Sequence, residues 1–248
     1  MDEKLAPHDF VADFVWAART VLHKPSVALV SIAGWCLPPL FFMAAVRNRN
    51  PIVGLIAVGL SLFTLGWLGA ERRFFRDRRA CKSVSLRDLF ASVPSFIGRF
   101  LRLSVLVGIA VFPITAVAIV ISAELATNGK PHVGMTVTHI AVLTTMVAVD
   151  FALTFVTSAL VFTTSSARGA LRIGIRMIRQ TWPRSGLYVL CPPLALNMLN
   201  AAYPTHLPVV IVLTTAALAV LALLAKGATA TFYLREHPVS SDLERTSD

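Results

Sequence analysis

The chain reads as an all-α membrane protein, with six transmembrane helices in three proline-kinked hairpins and an amphipathic surface helix before each hairpin. Three observations predict this. Of its 248 residues, 56% are hydrophobic and 15% are charged, whereas soluble domains carry about 25% charged residues. Six apolar runs are long enough to enter a bilayer. Finally, an amphipathic run, a span with proline and a span without internal proline follow one another three times. The mid-span prolines lie at Pro38-Pro39, Pro113 and Pro192-Pro193. Such internal repetition decides an architecture before any single element does.

Residues 1–9 are polar and are expected to be flexible. No apolar core directly follows Met1-Asp2-Glu3-Lys4, so no cleavable signal peptide is expected there. From Phe10 a helical stripe of Phe10, Val11, Phe14, Val15, Ala18, Val21 and Leu22 predicts the first surface helix, with Asp13 and Arg19 off the stripe. Pro25 closes it, because proline disfavours helix for the residue before it. Span 1 covers 27–46, and Arg47-Asn48-Arg49-Asn50-Pro51 forms a polar turn. Span 2 covers 52–70, with Gly54, Gly59, Gly66 and Gly69 as points where a neighbouring helix can come close.

A basic segment, 71–82, follows. A second amphipathic run then carries Leu86, Leu89, Phe90, Val93, Phe96, Ile97, Phe100 and Leu101 on one face and leads into span 3, 103–121. Pro94 predicts a kink or split inside that run. Span 4, 135–162, is longer than a ~30 Å hydrocarbon core requires, and should tilt or protrude. Ser165-Ser166 caps the third amphipathic helix, 167–180, whose apolar positions are Leu171, Ile175 and Ile178. Trp182-Pro183 ends it. Spans 5 and 6 cover 186–203 and 209–233, and residues 236–248 form a polar tail. One membrane domain, 10–235, thus holds three units, roughly 10–70, 86–162 and 167–235.

The net charge is +10, and it is unevenly placed. Segment 71–102 holds nine Lys or Arg and segment 165–185 holds five, with Lys4, Arg19 and Lys24 in the N-terminal arm. The opposite loops hold Arg47, Arg49 and Lys130. The positive-inside rule then puts both termini on the cytoplasmic side. Basic charge spent on orientation leaves little ground for nucleic-acid binding, which needs a soluble basic surface with aromatic platforms.

Two ionisable residues fall deep within spans, Asp150 and Lys226, and such groups are functional candidates by default. Thr136, His139, Asp150, Thr154 and Thr157 share one arc of span 4, interrupted by Leu143 and Met146. We expect this stripe to face an interior cavity, with Asp150 paired to Lys226 either as a structural tie or as a ligand or proton site. A second candidate is the stripe Arg168, Arg172, Arg176 and Arg179, together with Arg72, Arg73, Arg76, Arg78, Arg79 and Lys82. These can meet anionic lipid headgroups. Cys36, Cys81 and Cys191 show no metal-ligand spacing, the histidines are scattered, and there is no phosphate loop or nucleophile elbow. No cofactor and no enzymatic activity are expected. The leading expectation is a lipid-handling or scaffold module, with a membrane-protein partner possible. A small transporter or transporter subunit is the alternative, and a membrane-embedded enzyme comes last.

The stretch Arg78-Arg79-Ala80-Cys81-Lys82-Ser83-Val84-Ser85-Leu86, the run from Ser166-Ala167-Arg168-Gly169-Ala170-Leu171-Arg172 to Trp182, and the opening from Arg19 to Pro25 carry a resemblance. From about Phe10 to Arg235 the layout resembles the membrane domain of bacterial glycerophosphodiester phosphodiesterases and related uncharacterised six-span bacterial proteins. The resemblance implies the fold and carries over no catalytic residue, because the hydrolytic chemistry of those enzymes belongs to a separate soluble domain.

Overall fold

The computed structural model describes residues 8–129, 131–202 and 208–237. Among these residues there are nine helices: α1 (His8–Leu22), α2 (Pro25–Asn48), α3 (Pro51–Arg79), α4 (Leu86–Thr127), α5 (Pro131–Leu153), α6 (Val156–Phe162), α7 (Ala167–Thr181), α8 (Gly186–Ala202) and α9 (Pro208–Glu236). The described residues contain no strand. Five stretches among them are long and apolar enough to cross a membrane: α2, α3, α4, α5 with α6, and the 212–236 part of α9. The span expected at 186–203 is helical as α8 over its 17 described residues, at the lower end of the ~17–25 that a crossing helix uses. The expected flexible ends at residues 1–7 and 238–248, the turn at 204–206 and Lys130 lie outside the described residues.

The sequence stops the spans earlier than the chain does. Span 2 was read as ending at Ala70, but α3 runs on to Arg79, because Phe74 and Phe75 continue its buried face. Asn50 caps its start, its side chain accepting from the Ile52 and Val53 amides, and Arg49 turns the preceding chain in a left-handed conformation (φ 48°). The second amphipathic run and span 3 fuse into α4, 42 residues long and about 63 Å by helical rise. Pro94 and Pro113 both lie inside it. No split occurs at Pro94, because Val93 and Phe96 on either side are packed into the core.

Span 4 is broken near its end. Helix α5 ends at Leu153 and α6 begins at Val156. The threonines around the break turn back on their own backbone: Thr154 Oγ1 donates to the Asp150 carbonyl at 2.8 Å and Thr157 Oγ1 to the Leu153 carbonyl at 3.1 Å. Such bonds compete with the helical ladder. Ser166 caps α7, its hydroxyl accepting from the Gly169 amide.

Packing is concentrated at one end of the bundle. Helix α2 buries Val27, Ser31, Gly34 and Pro38 and nothing after them among the described residues, and α4 buries residues from Leu89 to Leu103. Helix α3 buries mainly its last turns, from Gly66 to Asp77. Phe155, Leu160, Met177, Tyr188, Leu223, Phe232 and Tyr233 complete this core. Backbone approach is close there: a Cβ on Gly69 would run into the Phe96 ring, and one on Gly66 would meet the Val93 carbonyl at 2.6 Å. Gly59, nearer the start of α3, has nothing within 4 Å. Helix α9 packs against α1, α2, α3 and α8, so the last span closes on the first elements of the chain.

The two separate amphipathic helices bury a face of small and polar residues against the protein and leave part of their apolar stripes outward. In α1 the buried positions are Asp13, Ala17, Thr20 and Val21, while Val11, Val15 and Leu22 stay exposed. In α7 the buried stripe is Ala170, Gly174, Met177 and Thr181, and Ile175 is exposed. Small residues win the inner face because α6 lies so close: a Cβ on Gly174 would meet the Val156 amide nitrogen at 2.6 Å.

Candidate functional site

Closure of α9 onto α3 and α2 decides where Lys226 goes. Its ammonium donates to Glu71 Oε2 at 2.6 Å and lies 5.7 Å from the centre of the Trp35 ring. The Asp150 partner expected from the sequence is therefore replaced by Glu71. The other Glu71 oxygen accepts from the Ser31 hydroxyl at 2.6 Å, and Trp67 Nε1 donates to Ser31 at 3.0 Å. Glu71 is fully buried. One carboxylate thus joins α2, α3 and α9, with a charged and a neutral donor on its two oxygens.

Arg72 was grouped in the sequence with the lipid-facing cations, and here the structure corrects the expectation: it is buried. One guanidinium nitrogen donates to the Leu68 carbonyl at 3.0 Å and another to Thr157 Oγ1 at 2.6 Å, while its Nε is buried without a hydrogen bond. Arg73 and Arg76 are half-buried and clasp Asp77 at 3.3 and 3.0 Å.

The polar stripe of span 4 does not line an interior cavity. Thr136, His139 and Asp150 are exposed on α5, with Thr136 Oγ1 donating to the His132 carbonyl at 2.9 Å. The break after Leu153 takes Thr157 out of the α5 register and into contact with Arg72. Thr154 bonds its own helix, as above.

A second ionic cluster had no counterpart in the sequence reading. Tyr188 on α8 donates its hydroxyl to Asp13 Oδ2 at 2.6 Å, and Arg235 on α9 donates to the same oxygen. Asp9 lies 3.9 Å from the other side of that guanidinium. Burial pushes the Asp13 carboxyl above the usual carboxylate range, and the Tyr188 hydrogen bond and the Arg235 charge act against it. A usable signal existed: Asp13 stands four residues before Ala17 and three after Phe10, on the inner face of α1.

The arginines of α7 keep the place the sequence gave them. Arg168, Arg172, Arg176 and Arg179 are all exposed along one face. Beside them Leu171 and Ile178 are half-buried, and Ile175 and Trp182 are exposed, 46% and 53%. Arg79 and Lys82 are exposed as well, and Arg78 is half-buried.

Arg102 of α4 approaches the start of α7. Between them lies a cavity of about 360 Å³ lined by Arg102, Leu106, Ser165, Ser166, Ala167 and Arg168. Among the described residues no group of three or more His, Cys, Asp or Glu converges on a possible metal position, and the three cysteines are free thiols. No protein family, curated protein or solved structure matches the chain.

Proposed function

We propose that this chain is a non-enzymatic, six-span module of a bacterial inner membrane, with both termini cytoplasmic, that binds anionic lipid headgroups through its basic face. The observation that carries the reading is α7. Its inner stripe is buried against α6, its outer stripe is four exposed arginines, and an apolar flank of Leu171, Ile175, Ile178 and Trp182 runs between them. A helix so divided lies in the headgroup region, with cations toward lipid phosphates and the flank toward acyl chains. Trp182 is the residue type that anchors at that depth. Helix α1 fits the same plane through its exposed Val11, Val15 and Leu22. In this arrangement α8 is the sixth span, and the prolines of α2, α4 and α8 mark three hairpins.

The transport alternative would need interior polar groups free to receive a solute. Glu71, Lys226 and Ser31 instead satisfy one another, which favours a structural tie.

The test is extraction of the full chain into native polymer nanodiscs, with mass spectrometry of the lipids and proteins retained. The reading expects anionic lipid enriched over the bulk membrane, and most of that enrichment lost when Arg168, Arg172, Arg176 and Arg179 all become Gln. Each cation near the surface contributes about 1 kcal/mol. Enrichment unchanged in the quadruple variant would reject the reading. A protein partner at fixed stoichiometry without lipid enrichment would make the chain an accessory subunit.

A further inference from the structure

We infer that the cavity between α4 and the start of α7 is a discrete site for one anionic phospholipid, its phosphate held between Arg102 and Arg168. This rests on the lipid-binding reading and deepens it, from a diffuse basic face to a single bound molecule.

The two guanidiniums come from helices far apart in sequence and line the same cavity of about 360 Å³. No carboxylate lines it, and neither arginine forms an ion pair with a described residue. Two arginines facing one space repel each other unless an anion sits between them, and the planar fork of each suits phosphate oxygens. The Ser166 hydroxyl accepts from the Gly169 amide in capping α7 and keeps its hydrogen to donate, as does Ser165 beside it. The positive end of the α7 dipole adds to the same field.

What identifies the ligand as a lipid is the other wall. Arg102, Leu106 and Ile109 recur at four and three residues and so share one face of α4. Ile109 is 67% exposed and the neighbouring Val105 55%. The stripe leads from the cavity into the stretch that crosses the membrane. A phosphate at Arg102 thus places an attached acyl chain along Leu106 and Ile109, where hydrocarbon is already the solvent. A free phosphate ion would use the cations and leave that wall idle.

The experiment uses the purified full chain in nanodiscs of phosphatidylcholine and phosphatidylglycerol in equal parts. Native mass spectrometry counts the phosphatidylglycerol molecules that survive stepwise activation. The wild type should retain about one lipid to higher energy than the rest. R102Q/R168Q should weaken its retention about tenfold, while R172Q/R176Q/R179Q should keep it and lose only loosely held lipid. All these side chains are exposed, so neither variant removes core packing. Equal retention in R102Q/R168Q and wild type would overturn the site. Equal loss in both variants would overturn it too, leaving the diffuse basic face standing. No loss in either variant would reject both ideas. Displacement of the retained lipid by millimolar inorganic phosphate would assign the cavity to a free anion and overturn the lipid.

Discussion

Two halves of one helix behave differently. From Leu89 to Leu103, α4 buries a residue at nearly every turn, whereas beyond Leu103 its one buried residue among those described is Ala118. Phe112 is 72% exposed. The same contrast runs through the bundle. The inner half packs aromatic rings, glycine contacts and two ionic clusters, and the outer half turns bare Val, Ile and Phe outward. The difference teaches what each half has for a solvent. In hydrocarbon, apolar side chains gain nothing by hiding from the surroundings, so association has to come from close packing and polar contacts. Most of those devices are gathered at the inner end, beside the basic surface, with the close approach of Gly134 to Ser122 at the other.

The largest effect should come from Glu71. Replacing it with Ala leaves Lys226 buried without its carboxylate, a loss of about 3–5 kcal/mol. The expected result is collapse of the monodisperse species in size-exclusion chromatography. The double variant E71L/K226M, which removes both charges for apolar volume, should recover much of it. If E71A ran as the wild type does, ionic ties would not be what distinguishes the inner half.

Next come the glycines. Gly174→Ala should cost about 1–3 kcal/mol, because the new methyl group meets the Val156 backbone. Gly108→Ala, where nothing lies within 4 Å, should not destabilise. A thermal shift series in one detergent measures both, and equal costs would erase the contrast between the halves.

Tyr188→Phe removes the hydroxyl from Asp13 and should cost about 1 kcal/mol. It should also sharpen a pH dependence. The folded-state pKa of Asp13 is raised, so the folded state takes up its proton first. Stability therefore rises as pH falls from neutral through that raised value, and the gain is complete below the unfolded value of ~3.9. Thermal melts at pH 7 and pH 5 should show this slope. It should be steeper in Tyr188→Phe, which loses a bond favouring the carboxylate, and flatter in Asp13→Asn. The smallest effect belongs to the outer half: Phe112→Ala should change stability by less than about 0.5 kcal/mol.

Membrane class, helix order and the α7 arginine face were legible because composition and the 3.6-residue period are properties of the sequence alone. Which carboxylate meets Lys226 was not. Asp150 drew attention because it stands isolated among apolar neighbours. Glu71 stands at the head of a basic run, where hydropathy ends the apolar span at Ala70. The period nevertheless continued through it: Trp67, Ala70, Phe74 and Asp77 follow at three- and four-residue steps, and Glu71 stands four after Trp67. A span boundary drawn by hydropathy cut that stripe in two. The side of α1 that meets protein was not legible for another reason. The helix has apolar residues on both sides, Phe10, Phe14 and Ala17 inward and Val11, Val15 and Leu22 outward, and periodicity alone does not say which side meets protein and which meets lipid.

The Glu71–Lys226 tie also sets an order of events during synthesis. The two residues are separated by 155 positions. At ~5–20 residues per second, the ribosome delivers the lysine about 8–30 s after the glutamate. Through that interval α3 carries an acidic group whose counter-charge has not yet been translated. Termination of translation before Lys226 would strand that group, so a truncated product lacking the last span should be recognised and degraded while the complete chain escapes.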